Sequence, residues 1–243
     1  NEALLMMKSA QLLPAAIISK ITKGKDYAVL HNLTYLQADH LKQVAINARD
    51  IAEAVSAEIP TLRAENTQFH IFRPNISGEE HYAMEIGKID RNKPTLVRIH
   101  SACFTGDVLG SLKCDCGPQL HVATKMINDQ GGGLLIYLNQ EGRGIGLTNK
   151  IRAYALQDQG FDTVEANHRL GFEDDERDFQ LGATILREMR ISNIKLITNN
   201  PSKIATMSKY NINVTERIPL NVGRNETNLR YLQTKVSKSG HLM

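Results

Sequence analysis

All three cysteines of this 243-residue chain, Cys103, Cys114 and Cys116, lie within one 14-residue stretch. A fold that brings them to one point needs a tight turn beyond Cys114, and Gly117 is placed to provide it. Three thiolates hold a zinc ion and leave its fourth position open, the pattern of a catalytic site. The C-x10-C-x-C spacing is not that of a knuckle. Two other readings fit the same residues: three buried core thiols, or a structural zinc completed by His100 or His121. A zinc ion among three thiolates carries net negative charge. It is a weaker Lewis acid than a three-histidine site, and its bound water is less acidic than the pKa of about 7 found with neutral ligands. Arg98 and His100, just upstream of Cys103, are the nearby cation and donor that such a site needs.

Composition narrows the class. Hydrophobic residues at 42% and charged residues at 23% are those of an ordinary globular chain. No apolar run is long enough to span a bilayer, and the start at Asn1 does not read as a secretory signal. The odd cysteine count argues against a disulfide framework and for a reducing, cytoplasmic setting. The net charge of +3 is too small to imply nucleic acid. Residues 141–178 carry five Lys/Arg against nine Asp/Glu, and residues 203–243 carry seven against two. The surroundings of the cysteines are mixed in sign, so the basic C-terminal stretch reads as a solvated surface.

The first ~60 residues read as helical. Val44, Ala48, Ile51, Ala52 and Val55 share one face of an expected helix over 41–59, which Pro60 stops. Strands are predicted at 68–73, 81–86 and 95–100 between turn signals. Pro118 opens a helix that runs to about Asp129. Leu134 to Leu138 reads as a buried strand, followed by a glycine loop and a helix from about Asn149 to Gln159. Phe179, Ala183 and Leu186 share a further helical face. Ile194 to Thr198 reads as a strand, with Asn200-Pro201 as cap and first position of the next helix. The expected fold class is α/β, a layered core with a mixed sheet flanked by helices, preceded by a helical N-terminal arm. The expected division is an arm over 1–60 and a catalytic domain over 61–243.

Three further motifs bear on chemistry. Gln140-Glu-Gly-Arg-Gly-Ile-Gly-Leu-Thr-Asn-Lys150 places glycines between a strand and a helix, where backbone amides cradle phosphate, and Arg143 adds a bidentate donor. Its spacing is neither a Walker loop nor a dinucleotide fingerprint. In 170–178, Asp174 or Asp175 serves as a cap for the next helix, while Arg177 is an ion-pair partner or faces a phosphate. Thr198-Asn-Asn-Pro-Ser-Lys203 is a strand end feeding a helix, again an anion position.

Read together, Arg98-Ile-His-Ser-Ala-Cys-Phe-Thr-Gly-Asp, Cys114-Asp-Cys-Gly-Pro-Gln-Leu, Gln140-Glu-Gly-Arg-Gly-Ile-Gly-Leu, Asn149-Lys-Ile-Arg-Ala-Tyr154, Asp162-Thr-Val-Glu-Ala-Asn167, Gly171-Phe-Glu-Asp-Asp-Glu-Arg177 and Leu196-Ile-Thr-Asn-Asn-Pro resemble the GTP cyclohydrolase II family from about Thr61 to Met243. The resemblance implies opening of the GTP imidazole ring, with release of formate and pyrophosphate. The implied product is 2,5-diamino-6-(5-phosphoribosylamino)pyrimidin-4(3H)-one, made in the first step of riboflavin synthesis. It implies zinc at Cys103, Cys114 and Cys116, and magnesium on the triphosphate. Arg98, Ile99, His100, Ser101, Ala102, Gln119, Glu141, Gly142, Arg143, Thr163, Thr198 and Lys203 are implied GTP contacts. Asp175 is the implied proton acceptor, Arg177 the implied nucleophile or electrostatic group at the α-phosphorus, and Tyr154 the neighbour of the reacting base. A cytoplasmic homodimer acting on GTP, with no nucleic-acid or membrane partner, completes the implication.

Two positions depart from the family's commonest pattern. Ala102 stands where an acidic residue often precedes the first cysteine, and Asn139 where an arginine often precedes Gln-Glu-Gly-Arg. A pair lost together leaves the net charge of the site unchanged. The rival readings are a purine deaminase, whose His-x-Glu and Pro-Cys-x-x-Cys motifs are absent, a non-catalytic GTP-binding relative, and a zinc-knuckle nucleic-acid binder.

Overall fold

A computed structural model describes residues 2–41, 49–74, 78–238 and 240–242. Its centre is a seven-stranded mixed sheet: β1 (Ile51–Glu58), β2 (Thr67–Pro74), β3 (His81–Gly87), β4 (Thr95–Ser101), β5 (Gly132–Leu138), β6 (Asn193–Ile197) and β7 (Asn213–Ile218), in the order β1-β2-β3-β5-β4-β6-β7. The β1–β2, β2–β3 and β3–β5 pairs are antiparallel. The β4–β5, β4–β6 and β6–β7 pairs are parallel. The expected α/β class with its mixed sheet is therefore observed.

The parallel strands are apolar on both faces, as strands covered by helices on each side must be. Val97, Ile99, Leu134 and Ile136 face α7 (Gln180–Glu188), whose Ala183, Ile185 and Leu186 are fully buried. Leu96, Leu135 and Ile197 face α4 (Cys116–Asp129) through Ala123 and Ile127. Each large side chain so buried contributes about 1.5–3 kcal/mol. The parallel register aligns Ser101 with Leu138, and Val97 with Leu196, so the C-terminal ends of β4, β5 and β6 open on one edge. Ligands in open α/β sheets bind at that edge.

The expected helical N-terminal arm is present in part: among the described residues α1 (Glu2–Ser9) and α2 (Gly24–Leu30) are helical, while residues 12–21 form no regular element. The helix expected over 41–59 is corrected at its second half: Ile51 to Glu58 is the edge strand β1, paired from Ile51↔Pro74 to Glu58↔Gln68. Val44 and Ala48 lie outside the described residues. Only Ile51 of β1 is buried, so the apolar periodicity of this segment carried little weight against ladder hydrogen bonds with β2. Neither Asp174 nor Asp175 caps α7; Asp178 Oδ1 accepts from Gln180 N at 2.9 Å. Asn200 does cap α8 (Pro201–Lys209), accepting from Ser202 N at 2.9 Å.

Candidate active site

The three cysteines sit just beyond the end of β4: Cys103 caps α3 (Phe104–Asp107), Cys114 lies on the loop between α3 and α4, and Cys116 is the first residue of α4. Their Sγ atoms all lie within 4.8 Å of one another, with Cys103 Sγ to Cys114 Sγ at 3.7 Å. Thiolates held about 2.3 Å from a tetrahedral ion lie about 3.8 Å apart, so the cluster fits a metal ion. Close backbone approach makes it possible. A Cβ on Gly106 would stand 2.7 Å from Cys114 Sγ, and one on Gly117 would stand 2.3 Å from Gly106 O. Cys103 is pushed down by hydrogen bonds from the other two thiols, with Lys150 adding to the shift. Cys114, sharing a proton with Cys103, is pushed up to about 11. A bound ion would deprotonate all three.

Neither histidine is turned to the cluster. Among the described residues it comprises the three cysteines alone. His100 Nε2 bonds the Asp107 carboxylate at 3.1 Å, and His121 lies exposed on α4. Asp107 is a hub: it also accepts from Tyr137 Oη at 2.9 Å and Cys103 N at 3.0 Å, fixing the entry to the thiolate loop.

A cleft opens beside the cluster, about 1210 Å³ including its mouth. It is lined by Arg98, His100, Ser101, Ala102, Gln119, Glu141, Gly142, Arg143, Tyr154, Thr163, Arg177, Thr198 and Lys203, together with the three cysteines. Ile99 and Asp175 do not line it. The Ile99 side chain is core, and its carbonyl accepts from Lys203 Nζ at 2.6 Å. Asp175 stands behind Arg177, taking its Nε at 2.7 Å and its Nη2 at 2.5 Å.

Three cations gather on one wall. Arg98 donates Nη1 to Ile197 O at 3.0 Å and Nη2 to Gln119 Oε1 at 2.6 Å, while its buried Nε has no partner. Burial lowers its guanidinium to about 10. Burial, then the Arg98 and Arg177 charges, pushes Lys203 well below its usual value. Burial acts against the Arg177 charge too, but the Asp175 pair outweighs it and the net shift is upward. Clustered buried cations repel one another, and an anion relieves that repulsion.

The glycine loop supplies the facing wall. Gly142 and Arg143 both adopt left-handed backbone, at φ 65° and 63°. The Gly142 amide is taken by Glu141 Oε1 at 2.9 Å and the Gly144 amide by Gln140 O at 3.2 Å, so the tight loop presents the Arg143 side chain to the cleft rather than a row of amides. Arg143 Nη1 also donates to Asp174 O at 3.2 Å, joining this loop to the one carrying Asp175 and Arg177. Glu141 accepts from Lys150 Nζ at 2.8 Å and from Phe104 N at 2.6 Å.

Sequence reasoning missed Asp107, Lys150 and Lys235. Lys150 follows Glu141 by nine residues on α5 (Leu147–Gln157), a spacing with no recognisable pattern. The C-terminal stretch read as solvated surface, yet Lys203 and Lys235 are largely buried at the cleft.

Fold and site together define an α/β protein with a three-cysteine cluster fit for a metal ion beside a cation-walled cleft. The family model described as GTP cyclohydrolase II matches residues 52–219, and the chain belongs to that family. It is 51% identical over 185 residues to "Riboflavin biosynthesis protein RibBA" of Bacillus cereus (strain AH187), covering 75% of this chain and 47% of that protein. It is 43% identical to the protein of that name from Cytophaga hutchinsonii, over 92% of this chain and 55% of the relative. It is also 43% identical to "GTP cyclohydrolase-2" of Azospirillum brasilense, over 98% of this chain and 63% of the relative. The chain spans about half to two thirds of the length of these relatives. Among the described residues, no helix is long and apolar enough to cross a membrane.

Proposed function

We propose that this chain hydrolyses GTP, opening the imidazole ring and releasing formate and pyrophosphate, as the first step of riboflavin biosynthesis. The observation that carries the reading is the juxtaposition of a metal-competent thiolate cluster with the Arg98–Arg177–Lys203 wall in one cleft. Zinc is the ion the donor set suits best. When bound by Cys103, Cys114 and Cys116, it supplies Lewis-acid activation of a nucleophile beside the purine.

The chain's own residues do the rest. Arg98, Lys203 and Arg143 would neutralise the triphosphate, and a magnesium ion carried in with it would add positive charge there. Thr163 and Thr198 add hydroxyl contacts, His100 to Ala102 line the β4 end, and Ile99 acts indirectly by holding Lys203 Nζ through its carbonyl. Gln119 and Glu141 carry the donor and acceptor pattern that a guanine edge requires. Gln119 Nε2 donates to Asp115 at 2.5 Å and its Oε1 accepts from Arg98 Nη2, so reading guanine exchanges one of these bonds. Tyr154 stands by the base.

Asp175 holds Arg177 in a forked pair, which fixes the guanidinium as a cation aimed at the α-phosphate. A nucleophilic Arg177 would first have to lose a proton to Asp175, against its raised pKa. We therefore assign Arg177 the electrostatic role and Asp175 the orienting one. Exposed Phe104, Val108, Leu109 and Leu112 beside the thiolate loop support a homodimer. The odd cysteine count supports a reducing, cytoplasmic setting, and nothing in the charge distribution favours a nucleic-acid partner.

The test is incubation with GTP and Mg²⁺, with formate and pyrophosphate both quantified. Both products in equal amount support the reading. Ammonia in place of formate would make the chain a deaminase. GTP binding without either product would make it a non-catalytic relative.

A further inference from the structure

The family match ends at residue 219, but the cleft does not. Tyr231 and Lys235 on α9 (Leu229–Ser237), with His241 beyond it, also line the space. Several contacts along its length tie the segment down. Asn225 Nδ2 donates to Leu112 O at 3.2 Å. Lys235 Nζ donates to Asp115 Oδ1 at 2.6 Å, and Asp115 lies between Cys114 and Cys116. Lys238 pairs with Asp162, the cap of α6 (Thr163–Arg169). Leu242 N donates to Asn199 O at 2.8 Å, beside Thr198. The C-terminal segment thus crosses the thiolate loop, reaches α6 and returns to the end of β6.

We propose that residues 220–238 and 240–242 form the closing wall of the cleft, with Lys235 as the positioning residue of the thiolate loop and His241 presented to substrate. The substrate part rests on the GTP reading above; the metal part rests on the cysteine geometry alone. A buried ammonium is tolerated where it is paired and hydrogen-bonded. Lys235 meets that condition through Asp115 and lies 4.5 Å from the centre of the Tyr231 ring. Asp115 is 4% exposed, and its second oxygen takes Gln119, which in turn takes Arg98. One chain of hydrogen bonds therefore runs from α9 to β4, through the residue between two thiolates. Without the ammonium, the Asp115 carboxylate is buried and short of a partner, and the loop that presents Cys114 and Cys116 loosens.

The test compares Lys235→Met, Lys235→Arg and His241→Ala with an exposed control, Lys209→Met. Three quantities are read: zinc retained against a competing chelator, GTP affinity by calorimetry, and steady-state formate release. Lys235→Met is expected to lose zinc at about tenfold lower chelator concentration, the scale for an outer partner of a metal ligand, and to lower kcat more than it raises KM. Lys235→Arg recovers most of both. His241→Ala is expected to weaken GTP binding several-fold with zinc retention unchanged. Lys209→Met matches the parent throughout. Zinc retention and kcat at parental values in Lys235→Met overturn the positioning role. Unchanged GTP affinity in His241→Ala overturns the wall. Should Lys235→Met fail to fold, Asp115→Asn carries the same expectation and the same refutation. Zinc and GTP binding need no turnover. A parent chain that binds both and releases no formate sinks the hydrolase reading and leaves this one standing.

Discussion

Lys150 Nζ stands 3.0 Å from Cys103 Sγ and 2.8 Å from Glu141 Oε1. This one ammonium ties α5 and the glycine loop to the thiolate cluster. An ion held by three thiolates is over-neutralised, and Lys150 supplies the missing positive charge. Lys150→Met is expected to lower zinc retention and formate release by about 10- to 100-fold, with Lys150→Arg intermediate. Metal analysis under chelator challenge, run beside a formate assay, checks it. Parental zinc retention in the Met variant would refute the contact's role.

Cys114→Ser removes the central sulfur of the cluster without changing side-chain shape. Stoichiometric zinc and ring opening are both expected to vanish, with the far-ultraviolet dichroism spectrum unchanged. Retained formate release would mean that the thiolates serve another purpose.

Lys203 is held well below 10.5 by burial and by Arg98 and Arg177, with Lys235 adding to them and Asp175 opposing. Between the lowered value and 10.5 the unfolded chain binds more protons than the folded one, so this group adds stability as pH rises through that window. A triphosphate reverses the shift by favouring the ammonium. GTP binding is therefore expected to take up protons at alkaline pH and to weaken as pH rises. Calorimetry in buffers of different ionisation enthalpy measures the uptake. Lys203→Met should abolish it and weaken binding by about 1.5–3 kcal/mol, while leaving the melting temperature equal or higher.

His81 is buried and its Nδ1 accepts from Asn139 N at 3.1 Å, a bond that requires the neutral ring. Burial lowers its pKa from 6.5 to about 4, with Asp178 pulling weakly the other way. Below 6.5 the unfolded chain takes up a proton that the folded chain refuses, so this group's share of stability is lost as pH falls from 6.5 towards 4. Denaturant midpoints across that range should fall in the parent and fall less in His81→Gln. Equal slopes would refute the assignment.

Ala102 N donates to Leu138 O at 2.8 Å, which sets Ala102 next to Asn139 at the ends of β4 and β5. Asn139 Nδ2 is bonded to Glu80 O at 2.6 Å. Adjacent positions lacking one negative and one positive charge fit the loss of a pair. Ala102→Glu and Asn139→Arg are each expected to lower activity more than the double variant does. Additive effects in the cycle would show the two sites to be independent.

Much of the fold is legible in the sequence. The strands at Gln68–Arg73, His81–Ile86 and Leu134–Leu138 carry local apolar runs between turn residues, and such signals survive tertiary context. The cap at Asn200-Pro201 is likewise local chemistry. β1 was not legible. Its Ile51, Ala52 and Val55 suit a helical face as well as a strand, and pairing with β2 decided between them.

The closeness of Cys103, Cys114 and Cys116 along the chain makes a thiol cluster legible in the sequence, while the structure decides that the three sulfurs converge with no histidine among them in the described residues. The cleft follows only in part. Arg98, Arg177 and Lys203 are expected there from their motifs and the family resemblance, whereas Lys150 and Lys235 look like surface cations in isolation. Only the parallel register of β4, β5 and β6, with the C-terminal segment folded across their ends, makes them neighbours. Contacts between distant residues arise from the packing of whole layers, which no local pattern encodes.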